Sequence, residues 1–252
     1  MLTLYFSGTG NTRYIATTFS RKMEAECHSI EENIDFYATI TKHDSICFCY
    51  PVYGSCVPVI MQEFVVAHRK ALSGKSLIIF CTQNIFSGDG ARVFTDLLDG
   101  LEYQVSYAAH FNMPNNICNL SHYPKADPER IEKYKRDALI RLDRICKDLN
   151  KGKARRMGFN PLSHVLGFAS QRVYFRRTLE TARKSVQVSP SCILCQRCVK
   201  ACPARNLAVE EGRLIHKDQC VLCQRCVNLC PQKAITVLHH KEVKEQYKGL
   251  GG

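Results

Sequence analysis

Apolar residues follow two rhythms along this chain of 252 residues. The runs 44-DSICFCY-50 and 75-KSLIIFCT-82, the opening 1-MLTL-4 and the more mixed 103-YQVSYAAHF-111 read as strands. A strand covered on both faces is apolar at nearly every position, and these runs are short enough to be strands rather than helices. Helical stretches are expected between and after them, at about 13–26, 58–72, 90–100 and 125–150. Strands alternating with helices predict an α/β fold with a doubly wound parallel sheet. A ligand of such a sheet sits beyond the carboxyl ends of the strands, where the strand order reverses. The loops 5-YFSGTGNTRYIA-16, 51-PVYGSCVP-58 and 82-TQNIFSGDGA-91 would meet there.

The rhythm changes after residue 150. The segment 157-MGFNPLSHVLGFASQ-171 carries Met157, Phe159, Leu162, Val165, Leu166 and Phe168 at roughly helical spacing, and the basic 172-RVYFRRTLETARK-184 follows. This apolar stripe is expected to pack a linker between two modules, since a flexible tether would be rich in Gly and Ser. An anchor on a membrane surface has the same apolar face and basic flanks, and the sequence does not separate the two. Further on, 207-LAVEEGRLIH-216 reads as two strands joined at Glu211-Gly212, and 234-AITVLHH-240 as another short strand. The expected organisation is a unit over 1–150, a basic, partly helical linker over 151–187, a small α+β unit over 188–240 and a tail over 241–252.

Composition narrows the class. The chain has no apolar run long enough to span a bilayer and no basic-then-apolar leader, so a cytoplasmic protein is expected. Fifteen cysteines in such a chain indicate metal or redox chemistry rather than a disulfide scaffold. Seven are scattered through the first 150 residues; of these, Cys47, Cys49 and Cys81 lie within strand patterns as small core residues. The other eight form two copies of C-x2-C-x2-C-x3-C-P, in 192-CILCQRCVKACP-203 and 220-CVLCQRCVNLCP-231, whose starts are 28 residues apart. A structural zinc site usually gathers its ligands as separated pairs. Three thiolates within seven residues suit three irons of a cubane, and in this spacing the fourth cysteine of each run ligates the other cluster. That assigns Cys192, Cys195, Cys198 and Cys230 to one [4Fe-4S] cluster, and Cys220, Cys223, Cys226 and Cys202 to a second. The region around 188–240 resembles the bacterial two-cluster ferredoxins. It departs from them in being basic, through Arg197, Lys200, Arg205, Arg213, Lys217, Arg225 and Lys233. Cations near a cluster favour its reduced, more negative state.

The first loop is neither of two common phosphate-binding loops. There is no Lys after Gly10 for G-x-x-x-x-G-K-[ST], and Arg13 stands where G-x-G-x-x-G needs its third glycine. What remains is a strand, a hydroxyl-rich turn and a helix N-terminus, whose backbone N–H groups, with Ser7, Thr9 and Thr12, would face an anion. The motif 7-SGTGNT-12 resembles the FMN-phosphate loop of flavodoxins, and the resemblance extends over residues 1 to about 150. It implies a five-stranded flavodoxin-like sheet and FMN held at Ser7, Gly8, Thr9, Gly10, Asn11 and Thr12. The same resemblance implies that Pro51, Val52, Tyr53 and Gly54, with Thr82, Phe86, Gly88, Asp89 and Gly90, flank the flavin ring. With no Trp in the chain, Tyr53 and Phe86 are the available stacking residues. The segment 112-NMPNNI-117 resembles one in the family that fuses a flavodoxin domain to a two-cluster ferredoxin; its Asn115 and Asn116 would either cap a helix or face the cofactor.

Charge is uneven. Residues 1–125 hold 9 Lys and Arg against 11 Asp and Glu, whereas 126–252 hold 26 against 12. A solvated linker face or steering toward an acidic redox partner accounts for the excess more economically than nucleic acid, which is not expected as a partner; peripheral membrane contact stays open. The expected function is electron transfer between two [4Fe-4S] clusters and FMN, linking a partner protein to an acceptor. The alternative is an FMN-dependent reductase acting directly on a small organic acceptor such as a quinone. No acid–base constellation marks a catalytic residue.

Overall fold

Buried strands and the helices between them form the layers that the apolar rhythm predicts. The computed structural model describes residues 1–119 and 127–250, so the ends of two expected segments, 125–126 and 251–252, lie outside the described residues. Within the first 150 residues the order is β1 (Leu2–Tyr5), α1 (Asn11–Met23), β2 (Glu26–Ser29), α2 (Phe36–Thr41), β3 (Ser45–Pro51), α3 (Val59–Ala67), β4 (Lys75–Gln83), β5 (Tyr103–Asn112) and α4 (Pro128–Asn150). The strands run parallel in the order β2-β1-β3-β4-β5, and a two-residue strand, β6 (Arg155–Arg156), adds a sixth member at the β5 edge. Sequence pattern missed β2, a polar edge strand, and α2, which is too short to show a period. The helix expected at 90–100 is only a 3-10 segment at Val93–Leu98.

Alternation along β3 builds both faces of the sheet. Phe48 and Tyr50 enter a core with Phe6, Phe64, Ile79 and Phe94, while Cys47 and Cys49 enter a second core with Ile15, Phe19, Phe80, Phe111, Leu142 and Ile145. Side-chain caps set the helix starts. Asp35 accepts from Ala38 N–H at 2.9 Å to start α2, and Asp127 accepts from Arg130 N–H at 2.7 Å to start α4, which has Pro128 in its first turn.

The linker is one helical rod: α5 (Pro161–Gly167), capped by Asn160, runs through a π-helical turn at Phe168–Arg172 into α6 (Val173–Lys184). There follow β7 (Gln187–Val188), α7 (Arg197–Ala201), β8 (Leu207–Glu210), β9 (Arg213–His216), α8 (Arg225–Leu229) and β10 (Ile235–Thr236). β8 and β9 form the hairpin expected around Glu211-Gly212, and β10 pairs antiparallel with β7. The sequence repeat is also a backbone repeat. Left-handed residues occur in matching pairs at Leu194 and Leu222, Gln196 and Gln224, and Arg205 and Lys233. Val227, Ile235, Val237, Cys198 and Cys230 form a third core, against which Phe175 and Leu179 of α6 pack.

Candidate functional site

Four loops at the carboxyl ends of β1, β3, β4 and β5 surround a cavity of about 610 Å³. Its wall includes Ser7, Gly8, Thr9, Asn11 and Thr12 from the first loop, Pro51, Val52, Tyr53 and Gly54 from the second, Thr82 and Phe86 from the third, and Met113–Ile117 from the fourth. The loop before α1 is held by its own bonds. Gly10 N–H donates to Ser7 Oγ at 3.1 Å, and Gly10, at φ +102°, turns the chain into α1 with no side chain capping the helix. Thr12 Oγ1 lies 2.7 Å from Thr82 Oγ1, tying this loop to β4, and Asn116 Nδ2 donates to Thr9 Oγ1 at 3.0 Å. Asn115 bonds Ile117 in its own loop, and α4 takes its cap from Asp127, so neither asparagine serves as a helix cap.

The cavity's remaining wall comes from the second half of the chain, which sequence reading did not anticipate. Gln171, Phe175 and Thr178 of the linker rod, Leu222 and Gln224 between the cysteines, and Val237, Leu238 and His239 all line it. The one sequence signal for Phe175 is the helical spacing of Phe175, Leu179 and Ala182 on α6, which the reading of 172–184 as a basic segment passed over. Gly54 makes its approach possible, because a Cβ there would stand 2.3 Å from that of Phe175. Two buried polar atoms of the cavity wall, Tyr53 Oη and Gln224 Oε1, have no hydrogen-bond partner among the described residues. Burial, with the Cys223 thiol adding to it, pushes the Tyr53 phenol well up, so it stays a neutral donor. An open, largely apolar cavity with an uncapped helix end and free polar atoms fits FMN.

Gly88, Asp89 and Gly90, expected beside the flavin ring, do not line this cavity. Gly88 faces Gly167, where a Cβ would meet the Gly167 Cα at 2.6 Å, and Gly90 packs on Val52. Asp89 is fully buried and is bonded by three side chains: Arg172 Nη1 and Nη2 at 2.5 and 3.1 Å, His164 Nδ1 at 2.8 Å and Arg92 Nε at 2.9 Å. Burial alone would raise its carboxyl, but the bonds from Arg172, His164 and Arg92 outweigh that and hold it low. This loop therefore fastens the linker rod. Of the stripe expected to pack the linker, Phe159 packs on the sheet's first core, whereas Met157, Leu162, Val165, Leu166 and Phe168 are exposed, and Gly167, Arg172, Phe175 and Ala182 make the other contacts.

The cysteines of the two runs gather into two quartets. Cys192, Cys195, Cys198 and Cys230 line one small pocket, and Cys202, Cys220, Cys223 and Cys226 line another, so each run lends its fourth cysteine to the other quartet. Among the described residues no three His, Cys, Asp or Glu side chains stand close enough to hold one metal ion. Thiols bound to different corners of a cubane stand further apart than ligands sharing one ion, so the quartets fit [4Fe-4S] clusters. Backbone donors repeat with the motif: Asn206 N–H to Cys202 Sγ at 3.2 Å and Ala234 N–H to Cys230 Sγ at 3.3 Å. Such bonds stabilise the more negative state of a cluster. Burial pushes the Cys223 thiol up to about 12, so ligation there must displace a proton.

The second quartet abuts the cavity. A Cβ on Gly8 would lie 2.5 Å from Cys223 O, and Cys223 belongs to the same core as Phe6 and Tyr50. Arg225 clamps the junction, donating to Gly8 O at 3.1 Å, Ser7 O at 2.6 Å and Ala201 O at 3.2 Å while pairing with Glu31. From the other side the tail closes in. Tyr247 Oη donates to Asn11 Oδ1, Tyr247 N–H to Asn228 Oδ1 at 2.7 Å, and Leu250 is buried among residues of the sheet's second core.

Comparison with known proteins agrees with this layout. The family model described as a flavodoxin domain matches residues 2–111, and that described as a 4Fe-4S dicluster domain matches residues 184–235. Similar solved structures include the two-electron reduced flavodoxin of Megasphaera elsdenii, at 21% identity and a TM-score of 0.40, covering 55% of this chain and 99% of that one. A WrbA-like flavodoxin from Agrobacterium tumefaciens has 19% identity and a TM-score of 0.40, covering 58% and 96%. An NADPH-quinone reductase from P. pentosaceus has 15% identity and a TM-score of 0.40, covering 59% and 97%. A search of curated proteins gives no match. The chain thus joins an N-terminal region that matches a flavodoxin domain to a C-terminal region that matches a 4Fe-4S dicluster domain. Those domains imply FMN and iron–sulfur chemistry, and together they point to electron transfer. No helix among the described residues is long and apolar enough to cross a membrane.

Proposed function

We propose that this protein carries electrons along a relay of two [4Fe-4S] clusters and FMN, between a redox partner protein and an acceptor. The observation that carries the reading is the contact of Gly8, in the FMN-type loop, with Cys223 of the second quartet. It sets a cluster site directly against the flavin cavity, and electron exchange needs such proximity. We assign 1–150 to the flavin unit, 151–187 to the linker, 188–240 to the cluster unit and 241–252 to the tail.

Bound FMN supplies the exchange between one-electron and two-electron chemistry. Residues 7–12 would hold its phosphate, and Tyr53, Phe86 and Phe175 would enclose its ring. Tyr53 Oη and Gln224 Oε1 are free to bond it. Arg225 bonds the first loop to the cluster unit, and Phe175 with Leu222 gives the junction an apolar wall. The first quartet is the outer one, since Cys195 is exposed among exposed Ile193 and Leu194. Exposed Arg197 and Lys200 beside it suit an acidic partner.

Measuring iron, acid-labile sulfide and flavin on one anaerobically purified sample tests this. The expected content is about eight irons and about one FMN per chain. A folded sample that holds iron and refuses FMN would overturn the relay. The exposed apolar residues Ile85 and Phe86 at the cavity lip favour direct reduction of a small organic acceptor as a second reading. Steady-state turnover of a soluble quinone by the isolated chain would establish it.

A further inference from the structure

The linker rod buries one face and leaves an apolar face uncovered. Leu162, Val165 and Leu166 on α5 are 67, 59 and 43% exposed, Phe168 in the π-helical turn is 55% exposed, and Val173 and Tyr174 on α6 are 47 and 66% exposed. Positions 162, 165 and 166 recur at the three- and four-residue steps that line one side of α5, and Val173 and Tyr174 add exposed apolar surface beyond the π-helical turn. Solvent contact with that many large side chains is unfavourable, and a contiguous patch of this kind marks a surface that another phase or partner covers.

Its charge surroundings select the occupant. From Lys151 to Lys184 the chain holds nine Lys and Arg against one acid, Glu180. Arg172 is spent on Asp89, but Lys151, Lys153, Arg155, Arg156, Arg176, Arg177, Arg183 and Lys184 are all exposed. A second copy of this chain would bring two such basic strips together, which disfavours self-association. An anionic lipid surface answers both features at once, with acyl chains for the apolar face and headgroups for the cations.

We infer that α5, the π-helical turn and the start of α6 form an interfacial helix that docks the protein on an anionic membrane surface. The helix is fixed to the flavodoxin domain, through Arg172 and His164 on Asp89 and through Gln171 Nε2, which donates to Phe86 O at 3.1 Å. Docking would therefore hold the whole molecule in one orientation. The loop with the exposed Ile85 and Phe86 packs against this rod and lines the flavin cavity, so the cavity mouth lies beside the docked face. The inference does not rest on FMN or on the clusters, because lipid binding is read without redox chemistry.

Co-sedimentation of the purified full chain with vesicles tests it, using phosphatidylcholine alone and phosphatidylcholine mixed with phosphatidylglycerol. The expected result is partition onto the mixed vesicles, weak partition onto the neutral ones, and loss as salt rises. The triple change Leu162→Ser, Val165→Ser and Phe168→Ser is expected to weaken partition by about tenfold per side chain. Arg176→Gln with Arg177→Gln should weaken only binding to the anionic vesicles. All five side chains are exposed, Phe168 with the Arg172 guanidinium 5.8 Å from its ring centre, and retained visible spectra would check that the variants fold. Three results would each overturn the inference: no partition of the native chain, undiminished partition of the triple variant, or self-association in the absence of lipid that the triple variant abolishes.

Discussion

Substituting Gly8 by Ala probes the junction of the two domains with one methyl group. Gly8 is not in the left-handed region, so Ala brings no backbone strain of its own, and any effect is steric. The added Cβ would stand 2.5 Å from Cys223 O, where ordinary contact begins at 3.4 Å, so about 0.9 Å must be yielded. Neither side gives easily. Ser7 and Gly8 are held by Arg225, while Cys223 is buried in the sheet's core. Overpacking of this kind costs about 1–3 kcal/mol. If the loop moves, that becomes a loss of FMN affinity of about 5-fold to about 140-fold. If the domains part instead, it appears as lowered stability. Flavin fluorescence titration reads the first and urea unfolding the second. A Gly8→Ala protein within about 0.5 kcal/mol of native in both would refute the contact and the docking built on it.

Other perturbations separate the remaining elements. Cys202→Ser should lower iron from about eight to about four per chain and give the same residual EPR spectrum as Cys220→Ser, whereas matching Cys192→Ser would contradict the crossed quartets. Asp89→Asn leaves Arg172 buried without its counter-charge and should cost about 3 kcal/mol in urea unfolding, with a loss below about 1 kcal/mol counting against the ion-pair role. His110 is buried, its Nε2 has no partner among the described residues, and burial, aided by the Arg141 charge, holds it down to about 4 from an ordinary 6.5. Between those values the unfolded chain takes up a proton that the folded one refuses, so stability falls as pH drops, by about 3 kcal/mol in all. His110→Gln should flatten that part of the pH–stability curve, and an unchanged slope would show that another group sets it.

Local chemistry was legible in the sequence and tertiary docking was not. The eight cysteines of the two quartets stand out because residues in this spacing lie within one or two turns of each other, and the exchange of Cys202 and Cys230 between the two pockets matches that spacing. Residues 7–12 are legible for the same reason, since a strand, a hydroxyl-rich turn and a helix start are contiguous. Asp89 is a different case. In a glycine-rich loop it reads as a cofactor neighbour, but its partner Arg172 comes from a helix that approaches only once the linker is folded. Apolar periodicity over 157–168 points to a helix, of which α5 covers Pro161–Gly167, yet period does not say which face the rest of the protein covers. Gln171, Phe175, Leu222 and Gln224 carry no motif, and they reach the cavity only through the packing of one domain on the other.

The central claim is that electrons move within one chain between the clusters and the flavin. The most direct test is pulsed photoreduction of the loaded protein under anaerobic conditions, with flavin and cluster absorbance followed at several protein concentrations. The relay predicts that the two signals re-equilibrate in a first-order phase whose rate does not depend on protein concentration. A rate that scales with concentration, or signals that never exchange, would contradict it.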